Sequence, residues 1–187
     1  MKKQILFLFL FSLSIGDADA LPQRNIHTPI AYTGDFLEAA IPLSALLWNM
    51  WIQDYEGARQ LGWAWTSTIL TTRGLKYAVG RPRPWQDPDE RGTSFPSGHT
   101  ASAFAGAAHW QMRHGWAVGA PMYAAAAFVG YSRIHANMHR WDEVFVGAGL
   151  GIGFNMLFTS RHMPAHTRAH VSPTMNGGAV LNFRTTF

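Results

Sequence analysis

The sequence Phe95-Pro96-Ser97-Gly98-His99-Thr100 joins a proline-rich segment to an alanine-rich run that begins at Ala101. Pro96 restricts the backbone just before a turn, Gly98 permits backbone angles closed to other residues, and the alanine-rich run predicts a helix. This segment should therefore lie at a helix N-terminus, where unpaired N–H groups and the helix dipole favour a phosphate. Such a turn is by itself more often a plain helix cap, so the flanking segments decide its meaning.

The segment upstream concentrates positive charge on a stretch that prolines interrupt. Lys76, Arg81 and Arg83 lie within eight residues, with Pro82 and Pro84 between and after the arginines. Like charges repel at short range, so this crowding favours an anion among them. A solvated basic loop is the alternative interpretation.

The segment downstream carries Arg133, His139 and Glu143. Arg133 and His139 are six residues apart and would face different sides of one continuous helix, so a break near Ala136-Asn137 is needed to bring them together. Glu143 follows His139 by one helical turn, so its carboxylate could accept the ring N–H and leave the other nitrogen free as a nucleophile. An ordinary surface contact is the more common use of this spacing.

In order and spacing, the three segments resemble the tripartite signature of the type 2 phosphatidic acid phosphatase superfamily. That superfamily includes lipid phosphate phosphatases, bacterial non-specific acid phosphatases and vanadium haloperoxidases. The chain departs from the family pattern at one position, where Glu143 replaces the aspartate that follows the last histidine by four residues. Asp142, one residue earlier, is the alternative partner for His139.

The resemblance implies a phosphatase that uses neither metal nor cofactor and passes through a phosphohistidine. The phosphate-binding residues that it implies are Lys76, Arg83, Ser97, Gly98 and Arg133. Its implied catalytic residues are His139 as nucleophile, Glu143 as the group that orients it, and His99 as the acid and base. Fixed side-chain cations would occupy the place that a divalent ion takes in other phosphatases.

The chain divides into three parts by composition. Residues 1–20 have two lysines, an apolar run and a small-residue cleavage pattern, which predict a signal peptide and export to the periplasm. Residues 21–170 are expected to form one phosphatase domain, and residues 171–187 a tail of unassigned role. The chain contains no cysteine, so neither disulfides nor thiol chemistry contribute.

The apolar patterning predicts a single all-α bundle of about five helices. The predicted helices span residues 35–52, 58–79, 97–113, 116–132 and 138–159, with Asp35 as the cap of the first. In the fifth, Gly147, Gly149, Gly151 and Gly153 predict close packing against another helix. The tail is expected to form a short strand or an irregular extension.

Hydropathy and charge indicate a membrane-associated or partly embedded protein, and together with the resemblance they favour a phosphate monoester or diphosphate of a membrane lipid as the substrate. Three apolar runs of about 15–17 residues are at or below the length that spans a bilayer, and eight tryptophans suit its interface. The net charge of +4 is a modest excess that suits anionic substrates. The absence of a long Lys/Arg run argues against nucleic acid.

Three alternatives remain from the sequence. A soluble periplasmic non-specific acid phosphatase is the nearest, and a vanadate-dependent haloperoxidase is more distant because such enzymes are usually much longer. A metal-binding protein would use His135, His139 and Glu143 at spacings of four. His162, His166 and His170 share that spacing, but Pro164 argues against a continuous helix and favours a basic surface segment.

Overall fold

The computed structural model describes residues 21–162, 166–173 and 179–186, so the predicted signal peptide lies outside the described residues. The helices are α1 (Pro29–Trp51), α2 (Tyr55–Val79), α3 (Gly98–His114), α4 (Trp116–His135) and α5 (Trp141–Phe158). The expected all-α bundle of five helices is confirmed. An antiparallel hairpin of β1 (His166–Pro173) and β2 (Ala179–Thr186) follows, and β1 begins before the predicted start of the tail.

The first helix begins earlier than the sequence predicted. Thr28 is its N-cap, and the Thr28 side chain accepts a hydrogen bond from the Ala31 amide at 3.2 Å. Pro29 fits the first helical position because that position needs no N–H donor. The assignment of Asp35 as the cap is therefore wrong, and Asp35 lies two turns inside α1.

Two further helices begin at other residues than predicted, and one predicted break is present. Asp54 caps α2 by accepting from the Gly57 amide at 3.0 Å, so this helix starts at Tyr55 rather than Ala58. The predicted break between the last two helices is present, since α4 ends at His135 and Asn137 adopts a left-handed backbone with φ of 53°. The fifth helix begins at Trp141, three residues after its predicted start.

α3 is the central element of the bundle and packs against the other four helices. Its small side chains permit close approach, and α5 meets it through Gly147 and Gly151. A Cβ on Gly151 would lie 2.6 Å from the Ala101 carbonyl oxygen, and one on Gly147 would lie 2.5 Å from that of Ser97. Gly149 and Gly153 face open space, so the predicted packing is confirmed for two of the four glycines.

The core has an apolar centre and a polar end. Its largest apolar cluster joins α1, α3 and α4 through Ile41, Ala103, Ala107, Ala126 and Val129. At the end of the bundle near the α1–α2 corner, buried Arg113 donates to both carboxylate oxygens of Asp54 at 2.6 and 2.7 Å. This ion pair joins the start of α2 to the last turn of α3.

Much of the outer surface is apolar. Phe36 and Trp51 on α1 are 70% and 82% exposed, and other large apolar side chains are exposed on α2 and α5. Among the described residues, α1 is the one helix with the length and composition to cross a membrane.

Candidate active site

His139 and Glu143 form a buried pair at the start of α5. His139 precedes the helix and Glu143 lies in its first turn, so the side chains meet with Nδ1 and Oε2 2.9 Å apart. His139 is 4% exposed and Glu143 is fully buried. Within residues 21–162, no group hydrogen-bonds to the other ring nitrogen, Nε2, so that nitrogen keeps a lone pair for chemistry.

Several donors hold Glu143 in its ionised form. Ser94 donates its hydroxyl to Oε2 at 2.5 Å, and the Arg140 amide donates to the same oxygen at 3.1 Å. Burial raises the pKa of Glu143, but the hydrogen bonds from His139, Ser94 and Arg140 outweigh it and bring the pKa to about 2. The carboxylate is therefore a fixed negative charge beside His139.

Asp142, the alternative partner, faces a different neighbour. Its carboxylate pairs with the Arg81 guanidinium at the surface, and its side chain is about half exposed. Adjacent residues of a helix point about 100° apart, so the start of α5 turns one carboxylate inward and the other outward. The structure thus places Glu143, and not Asp142, against His139.

Lys76 ties α2 to the loop before α3. Its ammonium donates to the carbonyl oxygens of Thr93 and Pro96 at 2.7 Å each, and to that of Ser94 at 3.3 Å. Burial and the nearby Arg83 charge lower the pKa of Lys76 to about 8. Lys76 was predicted as a phosphate ligand, whereas its contact with the loop was not predicted.

The two arginines of the flanking segments have different surroundings. Arg83 contacts the Met138 sulfur at 3.4 Å and is only partly buried. Arg133 is buried, and its guanidinium donates to Ser132 Oγ, Asp35 Oδ1 and the Ala31 carbonyl oxygen at 2.6–3.0 Å. The charges of both guanidiniums lower the pKa of His99.

The start of α3 brings the central segment to this site. Ser97 is the N-cap residue, its amide donates to the Glu143 carbonyl oxygen at 2.9 Å, and its hydroxyl bonds to that of Thr100. The Ser97 amide is therefore already bonded, whereas Gly98 lines the open cavity. Burial, followed by the charge of Arg133, lowers the pKa of His99 to about 4.

Two adjoining cavities open beside part of the site. Lys76, Gly98 and His99 line the first, whereas His139, Arg83 and Arg133 are not among its lining residues. A polar cavity of about 340 Å³ is lined by side chains that include Thr72, Arg73, Lys76, Thr93 and His99. An apolar groove of about 290 Å³ lies between α1 and α2 and is lined by side chains that include Pro42, Leu43, Leu46, Leu61 and Trp65. Glu38 lines both, so the apolar groove adjoins the polar cavity.

The alternative metal site is not formed. No group of three histidine or acidic side chains within the described part of the chain could hold a metal ion. His135 therefore does not join His139 and Glu143 in a zinc site, because it ends α4 on the far side of the break from the His139–Glu143 pair.

Three residues of the site were missed by the sequence analysis. Ser94 donates to Glu143 across 49 residues of chain, and Asp35 reaches Arg133 across 98 residues, so no local spacing indicates either contact. Arg140 is different, because its amide and the Glu143 carboxylate form half of a capping box at the start of α5. The usual sequence signature of that motif begins with Ser, Thr, Asp or Asn, so the arginine at this position hid it.

Comparisons with known proteins agree with the arrangement of these segments. The family model of the PAP2 superfamily matches residues 57–166. The lipid A 4'-phosphatase of Helicobacter pylori is 39% identical over 37% of this chain and 35% of its own length. The lipid A 1-phosphatase of Porphyromonas gingivalis is 42% identical over 41% of this chain and 17% of its own length.

A solved structure has the same fold. The crystal structure of Aquifex aeolicus LpxE superposes with a TM-score of 0.60 and 25% identity, over 72% of this chain and 88% of that one. The chain thus spans about a third or less of the two lipid A phosphatases but most of the solved structure. Because the family match covers more than half of the chain and includes all three segments of the site, the protein belongs to the PAP2 superfamily.

Proposed function

We propose that the protein is a metal-independent phosphatase that hydrolyses phosphate esters of membrane lipids through a phosphohistidine. The observation that carries this proposal is the buried pair of His139 and Glu143, with Nε2 of His139 left available beside fixed cations. Lys76 and Arg83 both act electrostatically on His139, so a phosphate drawn by their charge would lie next to the ring.

The reaction proceeds in two displacements. Nε2 of His139 attacks phosphorus while the bond from phosphorus to the lipid oxygen breaks, and His99 gives that oxygen a proton. Water then attacks the phosphohistidine, His99 takes the proton from that water, and phosphate leaves with His139 restored. Lys76, Arg83, Arg133 and the Gly98 amide stabilise the negative charge on the phosphoryl oxygens.

A lipid substrate is supported by the surroundings of the polar cavity. The apolar groove between α1 and α2 adjoins it, so a phosphate in the cavity could have its acyl chain in the groove. The exposed apolar side chains of α1, α2 and α5 would place this opening at a membrane surface. Two relatives are named as lipid A phosphatases, so a lipid A phosphate is our first candidate substrate. Export to the periplasm completes the proposal.

The first test is phosphate release in the presence of EDTA. The purified protein would be assayed with a soluble aryl phosphate, with phosphatidate in micelles and with lipid A in micelles. We expect turnover that survives EDTA and is lost in His139→Ala, with a lipid preferred over the aryl phosphate. Activity that requires added zinc, or that persists in His139→Ala, would contradict the mechanism. A preference for the soluble ester would instead favour a non-specific acid phosphatase.

The lipid groove has a separate test in two glycines of α2. Gly62 lines the groove, and a Cβ built on it meets no atom within 4 Å, so Gly62→Leu should fill the groove without disturbing the helix packing. Gly74 is equally open but lies outside the groove, so Gly74→Leu is the matched control. We expect Gly62→Leu to raise KM for lipid several-fold and to leave aryl phosphate turnover unchanged. Equal effects of the two substitutions would argue against the groove as an acyl site.

A further inference from the structure

We propose that Asp35 is a positioning residue that acts on His99 through its charge, a role that rests on the phosphatase function proposed above. Asp35 precedes the three segments of the site and lies outside the family match at residues 57–166. Its contacts in the folded chain point to this role.

One carboxylate oxygen of Asp35 joins two side chains of the site. Oδ1 lies 2.6 Å from Arg133 Nη1 and 3.1 Å from His99 Nε2. Arg133 also donates Nη2 to the carbonyl oxygen of Ala31, one turn before Asp35 on α1. The first helix thus holds a residue from α4 and a residue from α3 at a single point.

The Asp35 side chain is about half exposed, so solvent permits an aspartate at this position of α1. Thr28 caps the helix, so the Asp35 side chain is not needed for the free amides of the first turn. Aspartate is also a poor residue for a helix interior. The two partners of Asp35, Arg133 and His99, both lie in distant parts of the chain and give an aspartate a function at this position of α1.

The charges that face His99 are mostly positive. The cationic groups around it are Arg73, Lys76, Arg83 and Arg133, the neighbouring imidazole is that of His139, and the acidic groups are Asp35 and Glu38. Burial and then Arg133 lower the pKa of His99, whereas Asp35 raises it. A general acid must carry its proton before the leaving group departs, so the Asp35 charge opposes the groups that would remove that proton.

The proton from His99 matters more when the leaving oxygen is an alkyl oxygen than when it is an aryl oxygen. As the bond from phosphorus to an alkyl oxygen breaks, His99 transfers its proton to that oxygen and becomes neutral. An aryl oxygen leaves as a stable anion and depends little on this proton. Loss of the Asp35 charge should therefore slow alkyl phosphate hydrolysis much more than aryl phosphate hydrolysis.

The test compares Asp35→Asn with the wild type on an alkyl phosphate lipid and on an aryl phosphate, across a pH series. We expect kcat/KM to fall about tenfold or more for the alkyl ester and less than about threefold for the aryl ester. We also expect the activity loss at the high-pH side of the profile to move to lower pH, because His99 then releases its proton more easily. Asp35→Glu, which keeps the charge, should retain the wild-type ratio between the two substrates.

Glu56→Gln is the matched control, because it neutralises an exposed carboxylate in the first turn of α2, where Glu56 pairs with Arg59 at 2.7 Å. It should change neither substrate ratio nor pH profile. Equal losses on both esters with an unmoved profile would overturn the proposal and leave Asp35 a structural partner of Arg133. If Asp35→Asn does not fold, a changed substrate ratio in Asp35→Glu overturns it. A wild type inactive on both esters would instead overturn the proposed function itself.

Discussion

At the scale of single residues, the site depends on which of two adjacent carboxylates turns inward. Glu143 is the third residue of α5, and its side chain reaches back to the Arg140 amide and to His139. Asp142 lies on the other side of the same turn and pairs with Arg81. The glutamate at the family's aspartate position therefore makes the contact with His139 that the proposed mechanism requires.

We expect Glu143→Gln to reduce kcat by a factor of about 10² to 10⁴, because the amide cannot replace the charge that fixes the His139 tautomer. Asp142→Asn should stay within about twofold of the wild type, since its ion pair is exposed. Steady-state kinetics on one phosphate ester measure both, with circular dichroism as the folding check. A larger loss in Asp142→Asn would move the orienting role to that residue.

Lys76 offers a second prediction at this scale, because its three donors bind the carbonyl oxygens of the 93–96 loop. Lys76→Met should free this loop and lower activity through lost charge and a displaced α3 N-terminus. Limited proteolysis with trypsin at exposed Arg91 should then be several-fold faster than in the wild type. Arg73→Met, which removes an exposed cation of the same helix, is the control, and equal cleavage rates in the two variants would contradict this role.

At the scale of elements, the contact between α3 and α5 brings His99 and Glu143 to one place. Gly147 and Gly151 allow the two backbones to touch, with no side chain between them. The spacing of these glycines predicted this packing, but four glycines share the pattern. Only the partner helix decides which pair is buried.

We expect Gly151→Ala to lower the free energy of unfolding by about 1–3 kcal/mol, because its Cβ would lie 2.6 Å from backbone atoms of α3. Gly149→Ala, which faces open space, should raise this free energy by up to about 1 kcal/mol through helix propensity. Chemical denaturation measures both. Equal changes would argue that α5 does not pack on α3 through Gly151.

At the scale of the whole molecule, the bundle is joined at its far end by the buried pair of Asp54 and Arg113. Arg113 also donates to the Ser160 carbonyl oxygen at 2.9 Å, so the chain beyond α5 is bound to the same point. Burial raises the pKa of Asp54, but the Arg113 hydrogen bonds and the Gly57 amide outweigh it and bring the pKa to about 2.

We expect Asp54→Ala to lower the free energy of unfolding by about 3–5 kcal/mol at neutral pH, because it leaves a buried guanidinium unpaired. In the wild type, the Asp54 charge should contribute roughly 2 kcal/mol to the free energy of unfolding above pH 3.8, the ordinary pKa of an aspartate. This contribution should be lost as the pH falls through about 2. Urea titrations across this pH range measure whether the free energy of unfolding falls as the pH falls. A stability that rises as the pH falls through this range would contradict it.

Local sequence signals predicted some helix boundaries correctly and one wrongly. The alanine-rich run after His99 and the break at Ala136-Asn137 are local signals, and the structure has a helix and a break at these places. The predicted start of α1 was wrong because the local sequence pattern does not distinguish Thr28-Pro29 from Asp35 as a helix start. The Asp35 carboxylate was consequently assigned to its own backbone.

The five helices, the family resemblance and the residues of the three segments could be predicted from the amino-acid sequence, because helix caps, apolar periodicity and motif spacing are local properties of the chain. The contacts of Glu143 with His139, of Ser94 with Glu143, and of Asp35 with His99 and Arg133 depend on the packed fold. These contacts join residues far apart in the chain or select between neighbours on one helix. They exist only once α1, α3, α4 and α5 have packed around one another.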